Sequence, residues 1–239
     1  MHNMINHENL GLVTGRSTGR QDITHYYITN SITEMKLGES SKGSSIFPLY
    51  IYPEEKNLFE SRKINLNEDI WEKLKAISED QKHGKPNEVD TFDYIYGYLY
   101  KHSFRKTYAQ FLKSDFPYIP WPKNSDEFWN ISKSGSFLRK LHLMDPAVIQ
   151  NTKNIYIGTG DNKIEYARLD SGKVWINDNQ YFDNVDELIW SYIICGYQPA
   201  QKWLTDRKNR HLSNEDIKHY QSILYIVSET NRVVKNDEV

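Results

Sequence analysis

Three prolines in the stretch FPYIPWP, Pro117, Pro120 and Pro122, do most to limit what this chain can fold into. Each fixes its own φ, lacks an amide donor and clashes with a preceding helical turn, so no helix crosses the stretch and no central strand contains it. FPYIPWP is therefore an extended connector held by its aromatic residues. The chain has to be read separately on either side of it.

Before the connector the pattern is strand-like, then helical. NLGLVTG, HYYITNSI and SSIFPLYIYP mix β-branched and aromatic residues between glycine-rich polar loops, and Pro48 places the third run at an edge or a strand start. From Glu54 to Leu66 the residues are polar and irregular, which predicts an exposed excursion. NEDIWEKLKAIS then reads as a helix capped by Asn67, with Ile70, Trp71, Leu74 and Ile77 on one face. Two more helices are expected in DTFDYIYGYLYKH, capped by Asp90 or Thr91, and in SFRKTYAQFLKSD, capped by Ser103. Gly97 costs the first of these about 1 kcal/mol relative to alanine, which points to a close helix contact.

After the connector, SDEFWNISKSGSFLRKLHLM predicts a helix interrupted or bent near Gly135. IYIGTG, KIEYARL and KVWIN alternate as strands, with a hairpin turn at Asp170-Ser171-Gly172. ELIWSYIIC suits a strand or a buried helix, ended by Gly196 and Pro199. The clearest element is the last: Ser213 and Asp216 form an S-x-x-D cap, and Ile217, Tyr220, Leu224 and Val227 recur at helical spacing as far as about Lys235. The fold class read from this is α+β across residues 1–239. It has β-rich parts at 1–66 and 147–212, a helical middle at 67–146 and a closing helix at 213–236.

With 239 residues, 26% charged and 38% hydrophobic, the chain suits one large or two small globular domains. No apolar run approaches the roughly 20 residues of a membrane helix. MHNMINHENL lacks the apolar core of a secretory signal, so a cytoplasmic location with no membrane partner is expected. Cys195 is the only cysteine, which excludes an intrachain disulfide and a cysteine-rich zinc site. The chain contains no G-x-x-x-x-G-K-[ST] loop, G-x-G-x-x-G fingerprint, G-x-S-x-G elbow or H-E-x-x-H pair. His142, His211 and His219 lack carboxylates at ligand spacing, and Asp115, Asp126 and Asp206 read as caps and surface groups. No catalytic residue and no metal site is assigned.

The net charge of −2 gives no hint of nucleic acid, but its distribution does. Lys101, Arg105, Lys106 and Lys113 stand in KHSFRKTYAQFLK without an acid, and Lys202, Arg207, Lys208 and Arg210 surround Asp206 alone in QKWLTDRKNRH. Such clusters meet phosphates or form solvated faces. The 17 tyrosines and 6 tryptophans either stack bases and sugars or fill a core. Composition does not separate these readings.

Four segments carry a resemblance: NLGLVTGR with SSIFPLYIYP, then FDYIYGYLYKHSFRKTYAQFLKSDFPYIPWP, then GSFLRKLHLM, then GYQPAQKWLTDRKNRHLSNEDIKHYQSILYIVSET. Together, and in this order, they resemble the C-terminal specificity domain of Type ISP and related Type IIG restriction–modification enzymes. The resemblance implies a bacterial DNA target-recognition domain that closes a chain whose earlier parts are a nuclease, in Type ISP a motor, and an adenine-N6 DNA methyltransferase. S-adenosylmethionine and Mg²⁺ belong to that parent enzyme, and no cofactor is expected in this chain. An Asn-Pro-Pro-Tyr-like motif, which would grip a flipped adenine, is absent; FPLY and FPYIP echo it only superficially.

A recognition domain needs cations for phosphates and loop residues for base edges. Arg105 and Lys106 near a helix start fit the first role. So do Arg207, Lys208 and Arg210, beside a helix N-terminus that itself favours phosphate. Arg16, Arg20 and Lys42, in loops between strands, fit either role, and Arg139 joins the set. The partners implied are double-stranded DNA and an upstream methyltransferase domain of the same chain. The competing classes are a protein-interaction or carbohydrate-binding domain with an aromatic-rich surface, and an enzyme with an unrecognised site.

Overall fold

The computed structural model describes residues 2–19, 24–37, 43–53, 61–149 and 153–235. It divides into two compact units, Met1–Leu143 and Met144–Asn236, and is α+β in both.

In the first unit the strands β1 (Gly11–Gly15), β2 (Tyr26–Thr29) and β3 (Ser44–Pro48) form an antiparallel sheet in the order β2-β1-β3. Pro48 ends an edge strand, opposite Gly11, where its missing donor breaks no ladder. Tyr50–Ile51 (β4) pairs with Lys63–Ile64 (β5), so part of the expected excursion is a small ribbon. Helix α1 (Glu68–Ser78) is capped by Asn67, whose side chain accepts from the Ile70 amide. Of its expected apolar face, Leu74 is buried but Ile70 is 52% exposed.

Helix α2 (Glu88–Tyr100) begins earlier than its periodicity suggests, because Asn87 and Asp90 form a reciprocal capping box. The stretch after it is not one helix but α3 (His102–Thr107) and α4 (Ala109–Leu112), broken at Tyr108. Lys101, not Ser103, stands at the α3 N-cap, and its side chain makes no capping bond. Helix α5 (Ser125–His142), capped by Asn124, runs unbroken through Gly135. That glycine is a packing device rather than a bend. A Cβ there would lie 1.8 Å from the Asp93 carbonyl oxygen, and one at Gly97 would lie 2.5 Å from the Ile131 carbonyl oxygen. The two helices cross backbone to backbone at these positions, which realises the contact expected of Gly97.

Helix α2 is buried on both sides: Tyr94 packs with Leu74, Phe128 and Ile131, while Leu99 packs with Tyr26, Phe104 and Leu112. Many tyrosines are therefore core residues with an anchored hydroxyl. Tyr94 donates to the Pro120 carbonyl at 2.8 Å and Tyr100 to the Tyr26 carbonyl at 3.1 Å.

The second unit carries β6 (Tyr156–Gly158), β7 (Arg168–Asp170), β8 (Lys173–Trp175) and β9 (Gln180–Phe182) in an antiparallel sheet of order β6-β9-β8-β7. Ser171 and Gly172, at φ 51° and 78°, make the two-residue turn of the expected hairpin; two successive positive φ values suit its right-handed twist. ELIWSYIIC resolves into the short helix α6 (Glu187–Ser191) and an irregular end. Pro199 does not close an element but opens helix α7 (Pro199–Thr205) at N1, the one interior-compatible proline position. Helix α8 (Asn214–Lys235) packs Tyr220, Leu224 and Val227 on Val174, Phe182 and Leu204.

Candidate nucleic-acid interface

The cationic residues singled out in the sequence divide by what surrounds them. In the first unit, Arg16 closes β1 and is exposed. Its Nε donates to Asp115 Oδ1 at 2.9 Å, and the adjacent Thr18 amide donates to the Lys113 carbonyl at 3.0 Å. The loop after β1 is thus tied to the end of α4, and the Arg16 bond holds the Asp115 carboxyl below its ordinary range. Lys106 is exposed on α3.

Its neighbour Arg105 turns inward. Its guanidinium lies 4.3 Å from the Tyr100 ring centre, its Nε donates to the Leu99 carbonyl, and its Nη2 is enclosed without an acceptor among the described residues. Arg139 is occupied as well. Its Nε and Nη2 donate to the two oxygens of Asp93 at 2.6 and 2.9 Å, across the α2–α5 crossing. The side chains are 15% and 2% exposed. Burial pushes the Asp93 carboxyl up while Arg139 pulls it down, and burial wins. Such a pair contributes more to geometry than to stability. Arg20 and Lys42 lie outside the described residues.

In the second unit the basic connector between α7 and α8 is built as a loop pinned to the sheet. Lys202 pairs with Asp206 at 2.8 Å. Arg207 lies 3.9 Å over the Trp203 ring and donates to the Trp203 carbonyl, so it packs as much as it projects. Asn209, at φ 66°, turns the chain and donates to the Ile164 carbonyl at 2.7 Å, and the Ile164 amide donates back to Arg210 at 2.9 Å. These bonds leave the side chains of Lys208 and Arg210 exposed. His211 meets Asp161 at 3.0 Å.

The start of α8, expected to favour phosphate, carries its own capping box. Ser213 Oγ accepts from the Asp216 amide at 3.1 Å and the Ser213 amide donates to Asp216 Oδ2 at 3.0 Å. That backbone bond, with the nearby Arg207 and Arg210, holds the Asp216 carboxyl low. The Asp216 carboxylate thus sits at the N-terminal end of the helix, where the dipole favours a negative charge. The exposed cations that remain are Arg16 and Lys106 in the first unit and Lys208 and Arg210 in the second.

Charge patterning did not reveal two further surfaces. One is an open apolar cavity of about 370 Å³ lined by Phe104, Tyr108, Phe111, Tyr118, Ile119 and Pro120. The other is the outer face of the second-unit sheet, where Trp175 and Tyr181 pair across strands with ring centres 4.5 Å apart. The alternation in KVWIN was the available signal for it, but the short QYF strand beside it has none. No group of three or more His, Cys, Asp or Glu residues able to hold a metal occurs among the described residues, and none of their helices is long and apolar enough to cross a membrane.

The family model for the Type ISP C-terminal specificity domain matches residues 1–236. No curated protein matches the chain. Among solved structures, the chain is similar to the ATP-dependent Type ISP restriction-modification enzyme LlaBIII bound to DNA, at 18% identity and a TM-score of 0.71, over 96% of this chain and 16% of that one. It is also similar to the DrdV–DNA complex, at 18% identity and a TM-score of 0.70, over 95% of this chain and 24% of that one. A nuclease-deletion mutant of the Type ISP enzyme LlaGI, in complex with a DNA substrate mimic, gives 18% identity and a TM-score of 0.67, over 96% and 21%. At this identity the likeness is one of fold, and the chain spans between about a sixth and a quarter of the length of these structures.

Proposed function

The chain belongs to the Type ISP C-terminal specificity domain family, and from that membership we propose that it recognises a sequence in double-stranded DNA and positions it for catalytic parts elsewhere in a restriction–modification enzyme. The observation that carries this reading is the match of a specificity-domain family over residues 1–236. The solved structures of the same fold are described as bound to DNA or to a DNA substrate mimic, which supports it. The exposed cations Arg16, Lys106, Lys208 and Arg210 are the phosphate contacts in this proposal. Arg105, Arg139 and Arg207 serve the packing that positions them.

The catalytic partner in this reading is an adenine-N6 DNA methyltransferase in the same bacterial, cytoplasmic polypeptide, using S-adenosylmethionine, with Mg²⁺ serving cleavage. None of these groups has a place among the residues of this chain in our reading, and the chemistry lies outside it. The test is an exchange. A Type ISP enzyme that carries residues 1–236 in place of its own specificity domain is expected to methylate a new DNA site. Methylation of the original site by the folded chimera would refute the proposal.

A further inference from the structure

An antiparallel sheet with one face on a core usually turns a polar face to water. The second-unit sheet mixes charges with large rings there. Its inner face carries Tyr156, Leu169, Val174 and Phe182, all part of or packed against the unit's core cluster. Alternation then places the intervening residues on the outer face, and the register lines them up. Arg168 stands opposite Trp175, Trp175 opposite Tyr181, and Tyr181 opposite Ile157, one row across all four strands.

The two rings are tilted against each other at 4.5 Å, half-buried, and outside that core cluster. Lys173 reaches over the Tyr181 ring at 4.7 Å, and Arg168 lies over Tyr166 at 5.7 Å with Asp170 4.0 Å away. Tyr166 is fixed by its hydroxyl bond to Asp178 at 2.8 Å. The turn of the β7–β8 hairpin is fixed too, through the bond from the Val185 amide to the Gly172 carbonyl at 2.9 Å. The face is an aromatic platform edged by the cations Arg168 and Lys173 and by the Asp170 carboxylate.

It is also continuous with the basic connector of the same unit. Ile164 exchanges backbone bonds with Asn209 and Arg210, and Lys163 bridges to His211. Residues 163–168 therefore run from the exposed Arg210 to Arg168 at the sheet edge. Cores of protein–protein interfaces are poor in lysine, whereas rings interleaved with lysine and arginine are the pattern of nucleic-acid surfaces. The width of a two-stranded ribbon suits the major groove of a duplex.

We propose that the outer sheet face, Arg168, Lys173, Trp175 and Tyr181, is a DNA-contacting surface, with the rings packing on deoxyribose and base edges and the two cations reaching phosphates beside them. This rests on the recognition role proposed above. It assigns that role's base-side contacts to a strand face rather than to the arginine-rich connector, which holds the backbone.

The experiment enriches a randomised duplex pool on the 239-residue chain, then measures binding of the enriched duplex and of a scrambled duplex. Trp175→Ala is expected to weaken binding of the enriched duplex about tenfold or more, with a much smaller effect on the scrambled one and an unchanged circular dichroism spectrum. Trp175→Phe is expected to restore most of the loss. Because removal of a half-buried ring can loosen the sheet, a variant that keeps both rings, Arg168→Gln with Lys173→Gln, is measured beside it and is expected to lose affinity for the enriched duplex as well. If the wild-type chain enriches a sequence and both folded variants bind it as the wild type does, the inference about this face is overturned while DNA recognition stands. If the wild-type chain enriches no sequence and binds no duplex, the recognition role itself fails, and this proposal with it.

Discussion

The crossing of α2 and α5 and the connector between α7 and α8 both present arginine in a segment rich in polar residues, yet the two regions use it in opposite ways. At the crossing, Gly97 and Gly135 bring two backbones together, and Arg139 has nowhere to go but onto Asp93. In the connector, the backbone turns at Asn209 and is held by Ile164, so Lys208 and Arg210 extend into solvent. The difference shows that a cation's role is set by what the chain packs around its base, not by its neighbours in sequence. A buried pair is costly to break and silent in binding, whereas an exposed cation is cheap to remove and felt by a polyanion.

The sharpest way to break the comparison is at the crossing. Arg139→Met leaves the Asp93 carboxyl buried without its counter-ion and is expected to cost about 3–5 kcal/mol in urea unfolding. Its effect on DNA binding should vanish under conditions where the variant is folded. A loss below about 1 kcal/mol would mean that the pair behaves as a surface one.

The next effect comes from protons in the same unit. His142 keeps part of its surface in solvent, but its imidazole packs on Tyr96 and Tyr100 and meets the Tyr96 hydroxyl at 2.7 Å. Burial, with the charge of Arg105, lowers its pKa to about 4. Between the ordinary 6.5 and that value the unfolded chain takes up a proton that the folded one refuses, so stability falls as pH drops through this window. The loss is at most about 3 kcal/mol, with no contribution from His142 to the pH dependence above it. Stability measured from pH 7 down to 4 should lose this component in His142→Gln. An unaltered profile would show that the imidazole is solvated.

In the second unit the effects on folding are smaller. Ser213→Ala removes the side-chain half of the α8 capping box and should cost about 1 kcal/mol, read as a lowered Tm. If the N-terminal turn instead served as a phosphate seat, the same change would weaken DNA binding by more than it weakens folding.

At the small end, Lys208→Ala and Arg210→Ala should each change stability by less than about 0.5 kcal/mol. Each should also flatten the log–log salt dependence of DNA binding by about one unit. Should both leave the salt slope intact in the folded chain, the connector is a solvated face, and the two regions differ only in burial.

Much of the first unit was readable because its signals are local. The Asn67 cap, the proline connector and the close approach at Gly97 all follow from a residue and its near neighbours. Asn87 was readable too, since N-x-x-D precedes the tyrosine-rich run just as S-x-x-D precedes α8, but the hydrophobic periodicity drew the start of α2 to Asp90. The break at Tyr108 and the unbroken passage of α5 through Gly135 were not local facts. A glycine in a helix permits a bend and equally permits a neighbour's backbone to approach, and only the Asp93 carbonyl beside it selects the second. The basic residues were visible as a set, but which of them stay exposed was not. Nor was the row from Arg168 to Ile157, because cross-strand neighbours sit far apart in the chain.

By itself the sequence determined the α+β class, the hairpin at Ser171 and Gly172, the capped closing helix and the family. These rest on φ preferences, hydrogen bonds within a few residues and the order of segments along the chain. The tertiary structure decided that Arg139 belongs to Asp93, that Arg105 turns inward onto Tyr100, and that Trp175 and Tyr181 form one face. Each of those depends on groups brought together only when the helices cross and the strands align, and the free energy of burial that drives this is a property of the assembled core, which no short stretch of sequence carries.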